Sequence, residues 1–200
     1  MDYSKTSIID LAALLAKHLQ HHGVEVVLVG GLAVEIYTEN LYLTKDIDMV
    51  NTNYKKPSYL NKVMGELGFR KHGRVYINES TEITVEFPPG PLAVGNNFIK
   101  NTTVVNTGKG SIPILYVRDV VIDRLAAYIH WQDRQSLIQA TAVMLKHNLE
   151  PKDFKKFLGA EGDSSDYELL GLLFAQAQTK NITAMAHLES LLSEIIIGRL

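Results

Sequence analysis

The chain contains no cysteine. That excludes disulfides, thiolate zinc sites and a cysteine nucleophile. It also lacks a strong charge of either sign: the net charge is -2 over 200 residues, so nothing global marks a nucleic-acid or membrane protein. No long apolar run is present. The opening stretch MDYSKTSIIDLAALLAKHL is broken by Asp2, Lys5, Asp10 and Lys17, a pattern expected of neither a signal peptide nor a membrane span, and the chain is read as cytoplasmic. There is no G-x-G-x-x-G. Gly108-Lys-Gly-Ser111 lacks the upstream glycine of a P-loop and is read as a hairpin turn. The seven histidines are read as lacking H-x-x-x-H and H-E-x-x-H spacing, so no zinc site is expected, and His130 by itself reads as a candidate general base. Internal repeats and low-complexity tracts are missing as well.

What remains is ordinary globular composition, 46% hydrophobic and 21% charged, in a chain long enough for a sizeable core. Ile8, Leu11, Leu14, Leu15 and Leu19 recur at helical spacing, so a helix is expected near residues 5–21, capped by Gly23. The β-branched run Val24–Val29 reads as a buried strand ended by Gly30 and Gly31, with a helix over Leu32–Tyr37. Asp46–Val50 reads as the next strand. Ser58 is the expected N-cap of a helix ending near Gly68. Arg74–Asn78 with Glu82–Phe87, and Thr102–Asn106 with Ile112–Tyr116, read as two hairpins.

From Val117 onward only helical patterns appear, with breaks at Asn148–Pro151, Gly159–Ser165 and Lys180–Asn181. GAEGDSS, from Gly159 to Ser165, is the candidate linker. The fold class is therefore α+β: a small mixed β-sheet core flanked by helices, residues 1–116, and a C-terminal helical half, residues 117–200.

The stretch from Val27 to Val50, VLVGGLAVEIYTENLYLTKDIDMV, carries the chemistry. In a strand, residues i and i+2 share a face, so Asp46 and Asp48 point one way while Ile47 turns inward. Two carboxylates on one face repel unless solvated, protonated or neutralised by a cation. Oxygen-only ligands suit a hard ion such as Mg²⁺, with Mn²⁺ as a substitute. Glu86, in Ile83-Thr-Val-Glu-Phe87, offers a third carboxylate near a strand end, on the face of Thr84. Gly30 and Gly31 allow close backbone approach, and the helix beyond them offers free N–H groups to a phosphate. Taken singly, each feature also fits a plain turn or a solvated strand edge.

Together they resemble the signature of the DNA polymerase β-like nucleotidyltransferase superfamily. The resemblance implies a small mixed sheet and Mg²⁺-dependent transfer of a nucleoside monophosphate from an NTP to an acceptor, releasing pyrophosphate. It implies that Gly30 and Gly31 hold the triphosphate, that Asp46 and Asp48 ligate the metal, and that Glu86 is the third acid, assisting the acceptor hydroxyl. Three departures stand out. Leu32 follows the glycines where a Ser or Thr is common, the spacing from Gly31 to Asp46 is long, and the third acid is Glu.

Thr44-Lys45-Asp46-Ile47-Asp48 further resembles the Thr-x-Asp-x-Asp of AbiEii-type nucleotidyltransferases from antitoxin–toxin pairs, and FPPGPLAVG with DRLAAYIHWQDRQS resembles DUF6036-like nucleotidyltransferases. This implies nucleotide-binding roles for Thr44, Lys45, Arg124 and Asp133. On one continuous helix Asp123, His130 and Arg134 share a face, and Arg124 and Asp133 lie on opposite faces. The latter two can face one site only if the helix breaks near His130–Gln132. The alternative for this polar stripe is a solvated or salt-bridged face.

Lys55, Lys56, Lys62, Arg70, Lys71 and Arg74 stand against Glu66 alone, with Tyr54 and Tyr59 interleaved. This cluster reads either as an RNA-binding patch, through Lys55, Lys56, Arg70 and Lys71, or as a solubilising face. The loop Phe87–Val94 either shapes an acceptor pocket or only turns the chain. The acceptor itself (RNA, protein or small molecule) is not written in the sequence. Alternatives to an active transferase are a degenerate nucleotide-binding regulator, such as a toxin–antitoxin component with a cognate partner protein, and an interaction module whose helical half forms a homodimer.

Overall fold

The computed structural model describes residues 1–95 and 97–198. The chain separates into two compact units, Met1–Ala33 with Leu43–Tyr116, and Val34–Tyr42 with Val117–Leu200. The second unit thus takes in a short segment from the middle of the first half as well as the whole C-terminal helical stretch.

The first unit opens with α1 (Ile8–His21). Ser7 caps it, its hydroxyl accepting from the Asp10 N–H at 3.1 Å, and Leu11, Leu15 and Leu19 form its buried stripe. Gly23, at φ +64°, ends the helix by reversing the backbone: its N–H donates to Gln20 O, and that of Val24 to Leu19 O. The strand that follows, β1 (Val26–Val29), is shorter than the apolar run. Gly30 and Gly31 do not precede the next helix but form its first two residues, α2 (Gly30–Tyr37).

Next come β2 (Asp46–Asn51) and α3 (Pro57–Glu66). Lys56, not Ser58, occupies the N-cap of α3. Pro57 takes the first helical position, where its missing N–H costs nothing, and this moves the start two residues earlier than a Ser58 cap requires. Then follow β3 (Arg70–His72), β4 (Val75–Asn78) and β5 (Thr81–Glu86). β3 reads Arg-Lys-His and is exposed throughout, so it carries no apolar alternation by which to be recognised. A two-stranded ribbon, β6 (Ala93–Val94) with β7 (Asn97–Phe98), precedes the hairpin β8 (Thr103–Thr107) and β9 (Gly110–Ile114). Thr107 pairs with Gly110, so Gly108 and Lys109 form the tight hairpin turn.

The seven-stranded sheet runs β3-β4-β5-β2-β1-β9-β8. It is mixed: β2 is antiparallel to β1 but parallel to β5, and β1 is parallel to β9. α1 packs on β1, β8 and β9 and also touches α3, which packs on β3. Ile47, Met49 and Val85 are fully buried, which fixes the register, because a one-residue slip would turn Asp46 and Asp48 inward.

The second unit contains α4 (Val117–Trp131), α5 (Arg134–Lys146), a 3-10 turn (Pro151–Phe154), α6 (Lys155–Glu161), α7 (Ser164–Thr179) and α8 (Met185–Ile197). α5 is its centre, packed against α4, α7 and α8 and buried over Ser136–Met144. Its buried polar groups are answered locally: Ser136 Oγ donates to Asp133 Oδ2 at 2.6 Å and Thr141 Oγ1 to Leu137 O at 2.9 Å. The expected linker GAEGDSS is not one. Its first three residues finish α6, and Asp163 caps α7 in a reciprocal capping box with Asp166.

No helix among the described residues is long and apolar enough to cross a membrane.

Candidate active site

β2 sits in the middle of the sheet with the acid-bearing strand β5 on one side and β1 on the other. Asp48 pairs in register with Glu86 of β5 and with Val29 of β1, the residue before Gly30. In parallel pairing, register partners point to the same face, so Asp46, Asp48 and Glu86 share one face of the sheet. On the opposite face Ile47 and Val85, also register partners, are buried. Asp46 is exposed, and Asp48 and Glu86 are half-buried. The apolar residues drive the strands into the core, and the alternation leaves the acids facing out.

Each acid is held. Thr84, opposite Asp46, donates its hydroxyl to Asp46 Oδ1 at 2.5 Å. Arg74 donates to Glu86 Oε1 from Nε at 3.1 Å and from Nη2 at 2.9 Å. Asp48 lies over Gly30: a β-carbon there would come within 2.4 Å of Asp48 Oδ2. Gly30 also has φ +69°, a conformation that L side chains rarely adopt. Two independent reasons thus require glycine at the first position of α2. The free N–H groups of that helix end lie directly after the residue paired with Asp48.

Thr44 and Lys45 flank this face at the entry to β2. Thr44 Oγ1 accepts from the Asp46 N–H at 3.2 Å, which sets the start of the strand. Lys45 forms an ion pair with Glu82, and that hydrogen bond raises the lysine pKa and lowers the glutamate's. Arg70 is likewise paired with Glu79, while Lys71 lies over the Tyr76 ring, 5.9 Å from its centre. Arg70 and Arg74, two of the basic cluster, are therefore locally neutralised. The loop after β5 helps to line a cavity of about 310 Å³, formed by Tyr54, Pro91, Leu92 and Phe98 with Val27 and Thr52.

In the helical unit, the run from Asp123 to Gln135 is not one helix. It breaks at Gln132, at φ +52°, and α5 starts at Arg134. Asp133 is the N-cap of α5, accepting from the Gln135 N–H at 3.0 Å as well as from Ser136. Arg124 pairs with Asp123, Nε at 3.0 Å, and donates to Gln139 Oε1 at 3.4 Å. His130 Nε2 lies 3.1 Å from Glu161 Oε2. A separate cavity of about 600 Å³ opens within this unit, among Asn40, Leu145, Ala177 and Leu188.

Two groups at the carboxylate face escaped the sequence reading. The alternation puts Thr84 on the face of Glu86 but does not reveal that Asp46 is its partner. Arg74 stood out only as one member of a basic cluster. Both contacts depend on strand order, which spacing does not disclose.

A glycine-led helix beside an aspartate pair, with a third acid on the neighbouring parallel strand, is an arrangement suited to holding a triphosphate and hard cations together. Residues 9–87, from α1 to the residue after β5, match the family model described as "Nucleotidyl transferase of unknown function (DUF2204)". The matched stretch is less than half of the chain and contains Gly30, Gly31, Thr44, Lys45, Asp46, Asp48 and Glu86. No curated protein matches the chain. The solution structure of the antibiotic-resistance factor ANT(2'')-Ia is similar over 90% of this chain and 96% of that chain, at 13% identity and a TM-score of 0.43.

Proposed function

We propose that the protein is a Mg²⁺-dependent nucleotidyltransferase that moves a nucleoside monophosphate from an NTP to an acceptor hydroxyl and releases pyrophosphate. The observation that carries this reading is the register of β2 and β5, which puts Asp46, Asp48 and Glu86 on one face, with Gly30 of α2 packed against Asp48. The donor set fits Mg²⁺ or Mn²⁺, since all three side chains offer only carboxylate oxygens. When bound there, the ion would offset phosphate charge and ease ionisation of the acceptor.

The chain's own residues do the rest. The N–H groups opening α2, at Gly30 and Gly31, orient the triphosphate. Asp46, aligned by Thr84, and Asp48, seated over Gly30, fix the cation positions. Glu86, at the edge of the site beside Arg74, is placed to take the acceptor proton as the new P–O bond forms and the bond to pyrophosphate breaks. Arg74 must release Glu86 for this, and its exposed guanidinium is then available to phosphate. Lys45 and Thr44 line the same approach. Arg124 and Asp133 are assigned nucleotide contacts on the AbiEii-type resemblance only, and the acceptor is RNA, a protein or a small molecule.

Thermal unfolding with each of the four NTPs, with and without Mg²⁺, tests the reading. A Mg²⁺-dependent rise in Tm for the wild type that is lost in Asp46→Asn/Asp48→Asn is the expected result. Labelled NTP should then reveal an acceptor, with transfer reduced by about 10²-fold or more in either single variant. Absence of any shift at saturating Mg²⁺ and NTP would overturn the proposal in favour of a site that no longer binds nucleotide.

A further inference from the structure

The reading of the histidines as lacking H-x-x-x-H spacing is corrected here: His18, in the last turn of α1, and His22, its C-cap residue, are four residues apart at the end of the helix. The fold brings Glu66, the last residue of α3, against both. We propose that His18, His22 and Glu66 form a transition-metal site for Zn²⁺ or an ion of similar chemistry, clasping the end of α1 to the end of α3.

Glu66 Oε2 lies 3.0 Å from His22 Nε2 and 3.6 Å from His18 Nε2. One ligand atom from each of the three residues falls within 4.8 Å of the others, close enough for one ion to reach all three. A tetrahedral ion with bonds of about 2.0–2.1 Å separates its ligand atoms by about 3.3–3.4 Å. The two observed distances bracket that value, so small side-chain movements suffice to seat the ion.

The hydrogen bonds point the same way. His22 Nδ1 is 3.0 Å from the His18 carbonyl oxygen and must carry a proton to approach it. In the neutral ring, Nε2 then presents a lone pair to a carboxylate oxygen, and two acceptors in contact require a positive centre between them. His18 Nε2 faces Glu66 and, at 3.0 Å, the Val63 carbonyl. Protonating both rings would set two imidazolium groups side by side, tilted by 48° with centroids 4.4 Å apart. A single dication satisfies both rings and Glu66 at once, at the cost of the His18–Val63 bond. The His22 Nδ1 bond to a backbone carbonyl is the outer support that metal-bound imidazole commonly has.

The surroundings are built to hold the geometry. Tyr59, on α3, donates its hydroxyl to His22 O at 3.0 Å and ties the helices together beside the trio. The three side chains are 20%, 32% and 41% exposed, leaving room for water as a fourth ligand. Two imidazoles and one carboxylate favour a borderline ion over Mg²⁺. The site is also remote along the sheet from the acids of β2: His22 leads into Val26, which pairs with Asn51, whereas Asp48 pairs with Val29 at the other end of the same strands. The ion would therefore brace the scaffold rather than take part in transfer, and the inference stands whether or not the chain transfers nucleotides.

The test is a titration of chelator-stripped protein with Zn²⁺ against a chromophoric competitor. One equivalent should bind, with or without NTP. Binding should weaken about tenfold or more in His22→Gln and in Glu66→Gln and stay unchanged in His21→Gln, whose side chain is exposed on the neighbouring position. Co²⁺ should give the visible bands of a four-coordinate site, and these should vanish once the imidazoles are protonated. If the variants do not fold, Zn²⁺ should still protect His18 and His22 of the wild type, and not His21, from imidazole acylation mapped by mass spectrometry. Equal Zn²⁺ affinity in wild type and His18→Gln/His22→Gln, or equal acylation with and without Zn²⁺, would overturn the proposal and leave a proton-bridged ion pair.

Discussion

Asp48 and Gly30 are packed so closely that a single added methyl at Gly30 would lie 2.4 Å from the Asp48 carboxylate oxygen. The backbone turn that starts α2 and the acid of β2 are therefore coupled, and any side chain at Gly30 displaces the carboxylate.

Gly30→Ala should accordingly do more than lose one glycine. The left-handed backbone costs about 1–2 kcal/mol for an L side chain, and the clash must push Asp48 away from its place. Denaturant unfolding should show a loss of about that size or more. The Mg²⁺–NTP rise in Tm should disappear even under conditions where the variant remains folded, as circular dichroism would show. A variant that folds and still responds to nucleotide like the wild type would count against the proposed seat.

Thr84→Val should separate positioning from stability. The Thr84 hydroxyl holds Asp46 at 2.5 Å, and Val keeps the shape and suits a strand. Support of this kind is worth about tenfold in metal affinity, whereas a hydrogen bond to an exposed acid contributes about 1 kcal/mol or less to folding. A Mg²⁺ titration of nucleotide-dependent stabilisation should shift to higher Mg²⁺, with the unfolding midpoint little changed. Thr84→Ser should restore the wild-type midpoint.

Tyr128 makes the stability of the helical unit fall in alkali. Burial, with the Asp166 carboxylate beside it, pushes its pKa up to about 12 from the ordinary value near 10. The folded state thus holds the phenol proton after the unfolded state has lost it. This contribution is complete below about pH 10 and is lost as the pH rises toward 12. The ring is only partly buried, so the effect is on the order of 1–2 kcal/mol after allowance for solvent screening. Unfolding free energies measured between about pH 9 and 12 should fall less steeply in Tyr128→Phe than in the wild type, and parallel slopes would refute the assignment.

Local pattern carried much of this. The spacing of Leu11, Leu15 and Leu19 makes α1 a helix in any context that offers an apolar surface, and Gly23 ends it by backbone geometry alone. The alternation of Asp46, Ile47 and Asp48 puts two acids on one face wherever β2 lies, since the period of a strand is two. The hairpins were visible from their turns. Boundaries were less visible where neighbouring signals compete, as when Pro57 displaces Ser58 from the N-cap of α3, or when Gly159 continues α6 where a linker was expected.

The tertiary structure decided what met what. The sequence by itself determined that Gly30, Gly31, Asp46, Asp48 and Glu86 were the candidates for the proposed phosphate and metal chemistry, because candidacy depends on side-chain type and local period. Only strand order set Glu86 beside Asp48, Thr84 against Asp46 and Arg74 on Glu86. Only helix packing brought Glu66 to His18 and His22 across more than forty positions of chain. Such contacts are fixed by burial of Ile47, Met49, Val85 and the α1 leucines, and so by the core of the whole unit. No window of sequence contains that information.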